Sequence, residues 1–158
     1  MTMGWIQQGR HLVWSQLLGG GMKQVAHNIA IIELAPAIWS VRVPYFASDA
    51  DLLSLTERLR ARLTERRSEK RPLCLLVIVD DDELECQALP QEAFEFWKQD
   101  AALLAAVLRG VGIVTSETRA KGVVAAFAWR TNVSIPMSVH ASLEHALHWA
   151  RQTLAKGA

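Results

Sequence analysis

Residues Leu73–Val79 read LCLLVIV, seven side chains in a row with no charge among them, set between Pro72 and the aspartates Asp80, Asp81 and Asp82. A strand of this composition is buried on both faces, so the sheet that contains it needs cover above and below. The chain has 158 residues, 51% of them apolar and 21% charged, which is the range of an ordinary globular domain. At that length a chain buries roughly 70% of the surface its unfolded form exposes, enough for one core without disulfides or metals.

The segments around this run each carry their own period. Ile29–Leu34 and Ile38–Val43 read as two short strands joined by Ala35-Pro36-Ala37, a hairpin. In the second, Ile38, Ser40 and Arg42 alternate with Trp39, Val41 and Val43, the pattern of a half-exposed strand. Ser48 with Asp51 three residues on marks a helix start, and Leu52, Leu55, Leu59 and Leu63 continue at helical spacing to about Arg67. The outer side of this helix, with Glu57, Arg58, Arg60, Arg62, Glu65, Arg66 and Arg67, reads as a solvated face of mixed sign. A second helix is expected from Pro90, with Phe94, Trp97, Ala101, Leu104 and Leu108 on one stripe as far as Arg109-Gly110. Gly112–Thr115 reads as a strand, Glu117–Arg130 as a helix with Val123, Val124 and Phe127 inward, Val133–Val139 as a strand and Ser142–Ala155 as a last helix. Pro136 places that last strand at a sheet edge. The expectation is a single α/β domain over residues 29–156, ordered β-β-α-β-α-β-α-β-α, with a mixed, mostly parallel sheet and helices packed on it.

Residues 1–28 read as an N-terminal extension. Trp5, Ile6, Leu12, Val13, Trp14, Leu17 and Leu18 line one side of a short helix that Gly19-Gly20-Gly21 would end. The segment is either an amphipathic arm or the translation of a ribosome-binding site ahead of a true start at Met22. The longest uninterrupted apolar run, Ala101–Leu108, falls far short of the ~20 residues a membrane-spanning helix needs. With two cysteines, Cys74 and Cys86, and no signal-peptide pattern, the expected location is the cytoplasm.

LLVIVDDDELE, residues 75–85, resembles the opening of a response-regulator receiver domain. That comparison fails because Asp100 is the last aspartate in the chain and no later strand supplies a phosphate acceptor. The span from about Ile29 to Leu154 resembles the SpoIIAA-like (STAS) family of anti-sigma factor antagonists and STAS/SEC14-like bacterial proteins. The residues that carry the resemblance are the hairpin IAIIELAPAIWSVRV, the helix after SDAD, the strand LCLLVIVDD and the ending GIVTSETRAKGVVAAFAW…VSIPMSVHASLEHALHWARQTL. It implies a regulatory domain that docks a protein partner on the loop after the third strand and on the following helix. In the antagonists that loop carries a phosphorylated serine or threonine, whereas residues 80–114 here contain neither. The surface would therefore be permanently acidic, through Asp80, Asp81, Asp82, Glu83 and Glu85, with Phe96 as an exposed ring beside it.

Chemistry is sparsely represented. Cys86 sits among acids that disfavour a thiolate, and Cys74 reads as packing. His140, His145 and His148 are the remaining candidates, the last two one helical turn apart beside Glu144, and a metal site would need a third ligand from elsewhere. No nucleophile elbow, phosphate loop or dinucleotide fingerprint occurs. A net charge of +1 argues against a nucleic-acid binder. Eight of sixteen acids lie between Asp80 and Asp100, and seven of seventeen bases between Arg58 and Arg71, a polarity that would steer a basic partner or a second copy. The reading is a non-enzymatic domain, without cofactor or metal, that binds a protein partner and could pair as a homodimer. The alternative is a carrier or sensor of a small apolar or lipid-like ligand held by Trp97, Phe127 and Trp129.

Overall fold

The computed structural model describes residues 29–43, 48–79, 91–115 and 134–157, together with Gly122, Ala125, Ala128, Trp129 and Thr131; for 91–94 it describes the backbone alone. Its strands are β1 (Ile31–Ala35), β2 (Ile38–Val43), β3 (Leu73–Val79), β4 (Leu108–Val114) and β5 (Met137–His140). Its helices are α1 (Asp49–Ser68), α2 (Gln91–Gln99), α3 (Ala101–Val107) and α4 (Leu143–Lys156). The five strands lie in sequence order in one mixed sheet, β1 antiparallel to β2 and the other three pairs parallel. The expected hairpin is therefore present, and Ala37, at φ 63°, turns its corner. The last strand lies at the sheet edge as expected, but it starts at Met137 instead of Val133, and Pro136, expected inside it, precedes it.

Side chains on β3 point alternately to two cores. Leu73 and Leu75 join Trp39 and Val41 of β2 and Val111 of β4 under α1, α2 and α3. Cys74, Leu76 and Ile78 join Ile38, Val114, Ala146 and Ala150 under α4. Both layers act on β2 as well, so Ile38 to Val41 are buried, Ser40 included, and of the face expected to be exposed only Arg42 is so.

α1 begins as its sequence dictates. The Ser48 hydroxyl accepts from the Asp51 amide at 3.1 Å while the Asp51 carboxylate accepts from the Ser48 amide at 2.9 Å, a complete capping box. Leu52, Leu55, Leu59 and Leu63 then face the sheet.

The single helix expected from Pro90 to Arg109 is instead two helices and the first half of a strand. Asp100, expected in mid-helix, stands between α2 and α3, and both its carboxylate oxygens are held by Arg60 of α1 at 2.8–3.0 Å. The break re-aims the stripe: Phe96, Trp97, Leu103 and Leu104 are buried, and Ala101 is exposed. Leu108, Arg109 and Gly110 belong to β4, which is seven residues long where a shorter strand was expected. Gly110 looks like a helix stop in the sequence, yet it serves a strand. A Cβ on Gly110 would stand 2.8 Å from Trp149 Cη2, and one on Gly112 would stand 2.8 Å from Leu76 Cδ2 and 3.3 Å from Trp149 Cζ3. Bare backbone at both positions lets the indole of α4 lie on the sheet.

The extension at residues 1–28 and most of the helix expected at 117–130 lie outside the described residues; Gly122, Ala125, Ala128, Trp129 and Thr131 are helical. Among the described residues no helix is long and apolar enough to cross a membrane.

Candidate functional site

In a sheet of mostly parallel strands, loops and helix starts gather at the carboxyl ends of the strands, where open α/β folds place their sites. Here that edge receives the ends of β2, β3, β4 and β5 and the capped starts of α1 and α4. β3 is the middle strand, paired on one side to β2 and on the other to β4, and it ends at Val79 at the centre of that edge. Asp80, Asp81, Asp82, Glu83 and Glu85 themselves lie outside the described residues, as does Cys86.

Phe96 does not present the exposed ring expected of it. It is 5% exposed, set edge-on to Trp97 at 6.4 Å between centroids, with the Arg60 guanidinium 5.8 Å over its face. The cause is the break at Asp100, which turns this side of α2 onto α1. The Asp100 hydrogen bonds raise the Arg60 pKa and fix the guanidinium over the ring. Glu95, Lys98 and Gln99 form the outer side of α2.

Trp97 is buried in the core beside α1, whereas Trp129 is 84% exposed. Phe127 lies outside the described residues.

The three histidines divide. His145 and His148 are exposed on α4. His140, at the end of β5, lies 5.3 Å from the Trp149 ring centroid, and its Nε2 is buried with no hydrogen-bond partner. Burial, and secondarily the charge of His145, lowers its pKa. Among the described residues no three His, Cys, Asp or Glu side chains converge as a metal site. The Cys74 thiol donates to the Ala150 carbonyl oxygen at 3.7 Å, and burial pushes its pKa up to about 11, which makes it a packing group at neutral pH.

The arginines of α1 are not a uniform solvated face: Arg60 turns to Asp100, while Arg58, Arg62 and Arg66 follow one another at helical spacing on the opposite flank. Arg62 and Arg66 lie over the buried Trp39 ring at 4.5 and 5.4 Å. Arg62 Nη1 donates to the Ile31 carbonyl oxygen at 3.2 Å, and Arg66 donates to the carbonyl oxygens of Arg71 and Pro72 at 3.1 Å. The available signal was Trp39 itself, a large ring on the strand that α1 follows. Compared with known proteins, the sequence matches no family model and no curated protein.

Proposed function

We propose that the chain is a non-enzymatic, STAS-type interaction domain that binds a protein partner through the acidic run Asp80–Glu85 and the outer side of α2. The observation that carries this reading is the position of β3. It is the central strand of the mixed sheet, and five acids lie within the six sequence positions that follow its last residue, Val79. A concentrated charge at such a place selects partners of opposite sign and speeds encounter. Phe96 and Trp97 act behind this surface. Their burial packs α2 against α1 and leaves Glu95, Lys98 and Gln99 on the exposed side.

The test is co-purification from the native host, followed by binding of the purified partner to the wild-type chain and to a variant with Asp81, Asp82 and Glu83 each changed to Lys. The expected result is a complex that weakens as salt rises and is lost in the variant, with the circular dichroism of the variant unchanged. Unchanged affinity in the reversed variant would overturn the reading.

A further inference from the structure

The arginines of α1 leave one account open. Arg58 Nε and Nη2 are buried and have no hydrogen-bond partner. Buried donors on a charged group that go unmet are costly, because the lost hydration is not replaced. Arg60, by contrast, has both oxygens of Asp100, and Arg66 has two backbone carbonyls. Arg62, one turn from Arg58, spends Nη1 on a carbonyl and its face on Trp39, with no carboxylate bound.

Among the described residues, little is offered to this flank. The positions three and four residues from Arg58 along α1 are Ser54, Leu55, Ala61 and Arg62, none of them acidic. Residues 1–48 contain a single acid, Glu33. Glu33 stands opposite Trp39 in the β1–β2 register and acts on Arg66, which places it toward the far end of the stripe from Arg58. Glu57 and Asp100 act on Arg60, across the helix. Asp51 is committed to the capping box.

Arg58 and Arg62 stand one turn apart on α1, no carboxylate among the described residues pairs with either, and planar guanidinium forks are what carboxylate and phosphate groups fill. We propose that the flank of α1 bearing Arg58 and Arg62 is a binding site for the oxyanion group of a ligand. Trp39 fixes the Arg62 guanidinium before the ligand arrives, so that little side-chain freedom is lost on binding. This site uses none of the residues of the proposed partner surface and stands or falls without it.

The experiment is isothermal titration calorimetry on the full chain at low salt, with inorganic phosphate in one arm and acetate in the other. Saturable 1:1 binding in either arm supports the site, and the arm that binds assigns phosphate or carboxylate. Arg58→Gln should weaken that binding about tenfold or more, and Arg58→Lys, which keeps the charge but loses the fork, should weaken it to a lesser extent. Arg60→Gln, on the opposite flank, should leave it unchanged. Should Arg58→Gln fail to fold, Arg58→Lys carries the comparison. No saturable heat in either arm, or equal affinity in the wild type and the folded Arg58 variants, would overturn the proposal.

Discussion

The two faces of the sheet are built on opposite rules. Under α1, α2 and α3 the core is made of large side chains: Leu52, Leu55, Leu59, Leu63, Phe96, Trp97 and Leu104 fill the space between helix and strand. Under α4 the helix comes close because little stands in its way. Ala146 and Ala150 are fully buried, and Gly110 and Gly112 give the Trp149 ring its bed. The first face is held by volume that must be present, the second by volume that must be absent. Cutting side chains should therefore damage the first, and adding atoms should damage the second.

The largest effect expected from this contrast is at Leu63, which is 1% exposed at the centre of the first core. Leu63→Ala should lower unfolding free energy by about 2–5 kcal/mol, through lost transfer energy and the cavity left behind. Urea unfolding with an unchanged m-value would measure it. A loss within a few tenths of a kcal/mol would show that the first face is not volume-limited.

On the second face the matching change is Gly112→Val. Its Cβ would meet Leu76 Cδ2 at 2.8 Å, and Leu76 is fully buried, so the strain has little room to dissipate. Overpacking of this kind costs about 1–3 kcal/mol. The same melt reads it, and a neutral substitution would mean that α4 moves away without penalty.

A finer test separates crowding from any general dislike of a side chain in β4. A methyl at position 110 would stand 2.8 Å from Trp149 Cη2 and 3.1 Å from Thr153 Cγ2. Gly110→Ala should therefore destabilise the wild type and destabilise a Trp149→Leu background less. The double-mutant cycle should return a coupling of roughly 0.5–3 kcal/mol, the range for residues in direct contact. Additive effects would show that the indole is not what keeps position 110 bare.

The same contrast governs how much of the molecule its sequence discloses. Where large apolar residues recur at a period, the elements are legible: β3 has its expected bounds, and α1 starts at its capping box. The mixed sheet with its initial hairpin follows from the turn at Pro36-Ala37 and from the two-faced character of LCLLVIV. Where fit depends on an absent side chain, local rules mislead. Arg109-Gly110 has the form of a helix end, and only the distant Trp149 explains why this glycine lies in a strand. Asp100 was invisible as a break because its partner, Arg60, is forty residues away. For the same reason Phe96 could be placed on a helix but not on the correct side of it. Of the site, the acidic run is plain in the sequence, whereas the division of the α1 arginines between Asp100 and Trp39 needs the packing of three elements.

The smallest effect at neutral pH belongs to His140, on the α4 side. Its imidazole is lodged against Trp149, and its titration feels His145 from α4 as well as its own burial. Both influences disfavour the imidazolium, so the folded-state pKa lies below the ordinary 6.5 and the unfolded chain binds the proton more readily. The sign follows from linkage. The contribution to stability is complete above about pH 6.5 and is lost as the pH falls from there through the folded-state value. Urea midpoints at pH 7.5 and pH 5.5 should therefore fall further for the wild type than for His140→Leu, which has no proton to take up and no buried Nε2 to leave unmet. His145 and His148, exposed on the same helix, are retained in both proteins, so their own titration cancels in the comparison apart from the coupling of His145 to His140. An equal fall in the two proteins would place the acid sensitivity elsewhere. It would also mean that the close approach of α4 to the sheet tolerates a charge at its margin, although it has no room for a methyl group at Gly110.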